Sequence, residues 1–128
     1  MPQAVEIARD KLAAFPPEQF SILCYDVTRL DECPDLRAPY DLAVDIGCGH
    51  GLPLESQAQY AKNIADLLGP GGTMMLFCHE PSEQRPFGWR PEDVHRLFLP
   101  HFDLVWQMLN PDTTTGSPSG WYRLAKRG

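Results

Sequence analysis

The segment Val44-Asp45-Ile46-Gly47-Cys48-Gly49-His50-Gly51 constrains the fold more than any other stretch of this chain. A mostly apolar run enters a cluster of glycines, the pattern of a strand turning tightly into a helix. By residue type it looks like the loop that opens a nucleotide-binding sheet. By position it comes late, because the turn Gly69-Pro70-Gly71-Gly72 follows closely. A loop that begins a sheet can cradle a cofactor with its backbone. A loop in the middle of a sheet serves another purpose, and the spacing favours the middle.

A dinucleotide-type fingerprint needs an acid about 20 residues past the glycines, at the end of the next strand. Here the next apolar strand, Thr73 to Cys78, ends at His79-Glu80, which puts Glu80 late, about 30 residues on by that measure. What remains after Glu80 reads as one short helix and a hairpin, too little to complete a cofactor sheet that starts at residue 40.

The other elements follow from periodicity and punctuation. Val5, Ala8, Leu12 and Phe15 predict a helix over residues 3–15, stopped by Pro16-Pro17. Phe20 to Tyr25 is a short apolar strand ending at Asp26. Tyr40 to Ile46 reads as a strand buried on both faces. Tyr60, Ile64, Leu67 and Leu68 share a helical face, with Gly69 placed as a C-cap. Pro91-Glu92-Asp93 starts a short helix. Phe102 to Leu109 and Gly120 to Ala125 form an antiparallel hairpin around the turn-rich stretch from Asn110 to Ser119. Strands that alternate with helices predict an α/β fold: a Rossmann-like, mostly parallel sheet with helices on both faces and an antiparallel C-terminal edge. The 128 residues fit one domain, 1–128.

Composition narrows the partners. The formal charge of −6 and the absence of a basic stripe argue against nucleic acid. No apolar run is long enough to span a membrane. Four cysteines occur, Cys24, Cys33, Cys48 and Cys78, with no Cys-x-x-Cys pair. They read as free thiols of a cytoplasmic protein. A zinc site from Cys48, His50, Cys78 and His79 is conceivable, but its spacing matches no common structural pattern, and no metal is expected. Small molecules or proteins are likelier partners than nucleic acid. No Ser-His-Asp set, carboxylate pair or Walker loop is present.

Several stretches, taken in order, resemble one family. Pro2 to Arg9 looks like a helix after a second strand, and Tyr25-Asp26-Val27-Thr28-Arg29-Leu30 like the turn after a third. Tyr40 to Pro53 looks like a fourth strand and its loop, Leu67 to Leu76 like a helix end, turn and fifth strand, and Gly120 to Leu124 like a closing strand. Over nearly its whole length the chain resembles the later two-thirds of a class I S-adenosylmethionine-dependent methyltransferase, of the small-molecule type akin to thiopurine methyltransferases.

The resemblance implies S-adenosyl-L-methionine as cofactor and a small molecule as methyl acceptor. It implies that the family's first two strands and its glycine-rich cofactor loop are missing, leaving a gap in the sheet and doubtful cofactor binding by this chain. Either the chain is an incomplete piece, or Phe20 to Tyr25 moves over to pair with Tyr40 to Asp45. Asp26 falls where the family meets the adenine amino group, with Val27 beside the ring; the plain alternative is a turn-forming aspartate. Asp45, Gly47 and Cys48 fall beyond a strand's carboxyl end, where ligands of open α/β sheets bind. His50, whose free pKa lies near neutrality, is expected on the substrate side, where it could accept a proton, with Glu80 beside it. No catalytic residue is assigned. Trp89, Trp106 and Trp121 read as packing residues. The alternative to an enzyme is a non-catalytic association module whose exposed sheet edges pair, for instance as a homodimer. A third reading makes Asp45 to Gly51 the primary cofactor loop of a minimal nucleotide-binding domain.

Overall fold

The computed structural model describes residues 2–110 and 118–128. Helix α1 spans Pro2–Leu12, α2 Leu54–Leu67 and α3 Pro91–Phe98. Strands are β1 (Tyr40–Ile46), β2 (Leu68–His79), β3 (Phe102–Asn110) and β4 (Ser119–Lys126). Short 3-10 turns cover Pro17–Gln19, Val27–Glu32 and Gly49–Gly51. Most of the expected turn-rich stretch between β3 and β4 lies outside the described residues. Among those described, no helix is long and apolar enough to cross a membrane.

The sheet order is β1-β2-β4-β3. β1 and β2 are parallel, and β4 runs antiparallel to both β2 and β3. The hairpin β3–β4 forms an antiparallel edge of the sheet, as the sequence predicts. β4 inserts between β2 and β3, so the antiparallel strand is interior and β3 takes the edge. β4 has a partner on each side, and its side chains alternate between faces, Tyr122 and Leu124 buried and Arg123 exposed.

Helices α2 and α3 contact each other, and the side chains buried with them form the core. From the sheet this core takes Met74, Leu76, Cys78, Tyr122 and Leu124; from the helices it takes Tyr60, Ala61, Ala65, Val94, Leu97 and Phe98. Burying each large apolar side chain contributes about 1.5–3 kcal/mol. The opposite sheet face is bare: Leu42, Val44 and Ile46 are more than half exposed. The sheet is mixed where a mostly parallel one was expected, with one parallel pairing (β1–β2) and two antiparallel ones, and among the described residues the helix cover expected on both faces is seen on one. Helix α1 buries no residue, and it stops at Leu12 rather than residue 15.

Two local expectations change. The chain passes from α2 straight into β2, so Gly69 lies in a strand and Leu68 is the C-cap. The Gly-Pro-Gly-Gly stretch makes an irregularity instead: β1–β2 pairing jumps from Tyr40↔Leu68 to Leu42↔Thr73, and Gly71 takes φ +75°, which favours glycine. Phe20 to Tyr25 forms no strand. It neither joins the sheet nor moves over to pair with β1, because an apolar run has no ladder to enter without a neighbouring backbone at strand distance. A cavity of about 770 Å³ has Phe20, Ser21 and Leu23 on one side and Tyr40, Leu42 and Val44 on the other.

Candidate active site

The parallel strands β1 and β2 end side by side, at Ile46 and His79. Gly47 turns the chain with φ +79°, and its N–H donates to the Phe77 carbonyl at 3.0 Å, one step past the end of β1. Asp45, on the covered face, is 5% exposed. Its carboxylate accepts from the Cys48 N–H at 2.8 Å, the Gly49 N–H at 3.0 Å and the Tyr60 hydroxyl at 2.7 Å. A buried carboxylate holds its place through such charge-assisted bonds. Burial first, and the nearby Asp45 second, push the Tyr60 phenol well above its ordinary pKa.

Two further loop amides are also engaged. Gly51 donates to the Cys48 carbonyl at 3.2 Å and Leu52 to the Gly49 carbonyl at 3.1 Å. The N–H groups of Gly47, Cys48, Gly49, Gly51 and Leu52 are therefore all spent inside the protein. This loop does not offer a row of amides to a ligand.

Behind the loop stands a tightly fitted wall. A Cβ on Gly49 would lie 2.6 Å from the Trp89 ring, 2.7 Å from the Tyr60 ring and 2.9 Å from Asp45 Oδ2. Trp89 donates from Nε1 to Gln57 Oε1 at 2.9 Å, and Gln57 Nε2 donates to the Leu52 carbonyl at 2.9 Å. The sequence reading missed Tyr60, Gln57 and Trp89 as parts of the site. A signal existed: Gln57 and Tyr60 are polar groups three residues apart, on the face of α2 that packs inward. Polar groups there need buried partners.

His50 is 5% exposed. Its Nδ1 accepts from the His79 backbone N–H at 3.1 Å. Its ring lies 5.9 Å from those of His79 and Phe87 and edge-on to Trp89 at 6.5 Å. Burial, and then the neighbouring His79, lower its pKa below the ordinary 6.5. The neutral ring with Nδ1 accepting carries its proton on Nε2. In that state Nε2 is the ring nitrogen able to donate. A cavity of about 430 Å³ lies here, lined by His50, Leu52, Gln57, Pro86 and Phe87 among others.

The segment after β2 closes this side. Glu80 follows His79 directly, and its N–H donates to the Pro118 carbonyl at 2.8 Å. Trp89 N–H donates to the His79 carbonyl at 2.8 Å. Gly88 has φ +143°, and a Cβ there would sit 2.3 Å from the same carbonyl oxygen. Only glycine fits that approach without displacement. Cys78 is buried, its thiol pushed up to about 12, mainly by burial.

Asp26 and Val27 lie on a different element. Asp26 caps the turn Val27–Glu32, its Oδ1 accepting from the Thr28 N–H at 2.9 Å and the Thr28 hydroxyl at 2.7 Å. Those bonds hold its pKa below the ordinary carboxylate value. Val27 and Leu30 pack against the core, and Asn63 of α2 donates to Asp31 at 3.3 Å. The turn is thus pinned to the helix that begins after the glycine loop. Cys48 is exposed, its thiol raised by partial burial and then by Asp45. Among the described residues, no three His, Cys, Asp or Glu side chains are grouped to hold a metal ion.

No family model and no curated protein matches the chain. Solved structures do. The N-methyltransferase NodS of Bradyrhizobium japonicum WM9, in complex with S-adenosylhomocysteine, matches with a TM-score of 0.81 at 16% identity. That match covers 100% of this chain and 64% of NodS. The 1,6-didemethyltoxoflavin-N1-methyltransferase of Burkholderia thailandensis, with its substrate and S-adenosylhomocysteine bound, matches with a TM-score of 0.75 at 22% identity. There, 93% of this chain and 56% of that one are covered. The chain therefore spans less than two thirds of either structure. The fold is that of the class I S-adenosylmethionine-dependent methyltransferases.

Proposed function

We propose that this chain supplies the later portion of an S-adenosylmethionine-dependent methyltransferase that acts on a small molecule. One observation carries the reading. The glycine loop is tied inward by Asp45, so it walls a cleft instead of cradling a cofactor. Likeness to structures crystallised with S-adenosylhomocysteine supports the cofactor, and the bound toxoflavin precursor of one of them supports a small acceptor. Bound here, the cofactor would supply an electrophilic methyl group on a sulfonium.

In this reading, Asp26 offers its carboxylate to the adenine amino group and Val27 flanks the ring. Gly47 and Cys48 form the cofactor-side rim, and Asp45 contributes by fixing that rim's backbone. His50 and Glu80 line the acceptor side, where neutral His50 donates a hydrogen bond from Nε2. Methyl transfer depends mainly on alignment and exclusion of water, so it needs little acid–base machinery. Alone, the chain binds the cofactor weakly. The acidic charge, −6, points away from nucleic acid, and free thiols suit a cytoplasmic setting. A second reading, a non-catalytic association module that self-pairs, draws support from the exposed side chains of β1.

Titrating millimolar S-adenosylhomocysteine into isotope-labelled protein tests the first reading by amide chemical shifts. Changes centred on Asp26 to Thr28 and on the His50 neighbourhood are expected. Changes absent from both regions would refute it.

A further inference from the structure

We propose that the cavity at His50 takes an aromatic carboxylate as the methyl acceptor, with its ring against Phe87 and its anionic oxygens between His50 Nε2 and the Arg85 guanidinium. The ligand's standing as acceptor rests on the proposed function; the anion site itself does not.

The side chains of this cavity leave only donors to a ligand. Its volume, about 430 Å³, falls within the range of about 300–1,000 Å³ usual for small-ligand sites. Gln57 is engaged at both ends, by the Leu52 carbonyl and the Trp89 indole. His50 Nδ1 is taken by the His79 N–H. That leaves His50 Nε2, which carries the ring's proton. It makes no hydrogen bond among the described residues and is not sealed from solvent. Neither Asp45 nor Glu80 lines the cavity, and the Asp45 carboxylate is already held by Cys48, Gly49 and Tyr60. A pocket that only donates selects a ligand that accepts. It rejects an ammonium group, whose own donors would be buried without partners.

Arg85 makes the preference anionic. It stands next to Pro86 and four residues after Pro81, both of which line the cavity. Ser82 N–H donates to the Arg85 carbonyl at 2.6 Å, and Arg85 N–H to the Ser82 carbonyl at 3.2 Å, so the turn that carries the side chain is closed. Arg85 Nη1 is buried without a hydrogen-bond partner, and the guanidinium forms no ion pair among the described residues. A buried guanidinium nitrogen left alone is unfavourable, and a carboxylate in its plane satisfies it by parallel hydrogen bonds. The charge also reaches His50: burial and then His79 lower that ring's pKa most, and Arg85 adds to the lowering. The other end of the cavity is apolar. Phe87 is 50% exposed and Leu54 82%, and both line it. The Phe87 ring lies 5.9 Å from that of His50. An uncovered aromatic face beside a donor pair suits a planar body with one anionic end.

The test titrates the isotope-labelled 128-residue chain with benzoate, benzamide, benzylamine and inorganic phosphate, reading amide chemical shifts. Saturable binding of benzoate is expected, with shifts centred on His50, Arg85 and Phe87. Benzamide should bind about tenfold more weakly, benzylamine and inorganic phosphate more weakly still. Arg85→Gln should weaken benzoate about tenfold and leave benzamide unchanged, a split that loss of folding does not produce. Phe87→Leu should weaken both about two- to tenfold. Four results would overturn the proposal: no saturable benzoate binding, benzamide or benzylamine binding as tightly as benzoate, phosphate binding as tightly as benzoate, or benzoate binding indifferent to Arg85→Gln. Benzoate binding without any response to S-adenosylhomocysteine would keep the anion site and remove the proposed function. Shifts at Asp26 to Thr28 with S-adenosylhomocysteine, and none with benzoate, would keep that function and remove this acceptor.

Discussion

Leu124 and Leu42 are the same residue on opposite faces of one sheet, and their surroundings differ completely. Leu124 is 0% exposed under α2 and α3, whereas Leu42 is 55% exposed on the bare side. The strand pattern does not distinguish these faces. Tyr40 to Ile46 has the composition of a strand buried on both sides, yet helices cover only one. A strand's side chains state what it can bury; the connections decide what covers it. In this chain the crossover from β1 to β2 and the connection from β2 to β3 carry α2 and α3, which pack together over the same face.

The sharpest way to break the comparison is to truncate the covered side. Leu124→Ala should cost about 2–5 kcal/mol in denaturant unfolding, because the surrounding helices cannot collapse fully into the hole. A cost near that of an exposed site would mean the covered face is loosely packed. Gly49→Ala comes next. Its Cβ would press on Trp89, Tyr60 and Asp45 at 2.6–2.9 Å, and overpacking of that kind costs about 1–3 kcal/mol. Tyr60→Phe keeps the packing but removes the hydroxyl donor to Asp45. A hydrogen bond to a charged group is worth about 1.5–3 kcal/mol, and the loss should also speed amide exchange at Cys48 and Gly49.

The pH response is smaller and isolates one residue. The folded-state pKa of His50 lies below its ordinary 6.5 because the ring is buried. As pH falls through 6.5, the unfolded chain takes up the proton before the folded one, so this contribution to stability is complete above 6.5 and lost below it. His50→Gln should flatten the corresponding part of the stability–pH curve. An unchanged slope would place the ring in solvent. Smallest of all, Leu42→Ala should change the stability of the isolated chain by no more than about 0.5 kcal/mol, as surface substitutions usually do.

Much of the fold was legible because periodicity survives without context. β2, α3, β3 and β4 appear within a few residues of where apolar spacing, Pro91 and the hairpin punctuation put them. The order of strands was only partly legible. Placing β4 between β2 and β3 is a tertiary choice that an apolar, alternating strand permits without specifying. Phe20 to Tyr25 shows the opposite failure: strand-like composition forms no strand where no backbone lies alongside to pair. Within the site, the glycines and Asp45 stood out in sequence, while the direction of the Asp45 carboxylate did not. Its partner Tyr60 sits on the following helix, and only packing brings the two together at 2.7 Å. His50 stood out in sequence beside the glycines. The bond that its Nδ1 accepts comes from the backbone N–H of His79, twenty-nine positions away, and no local pattern signals it.

The inward-tied glycine loop is the claim on which the account turns, and calorimetric titration of S-adenosylmethionine into the unaccompanied chain tests it most directly. The expected result is no saturable binding tighter than about millimolar, roughly 4 kcal/mol of binding free energy. Micromolar binding that disappears when Gly47 is replaced would contradict the account, because it would make the loop a cofactor cradle after all.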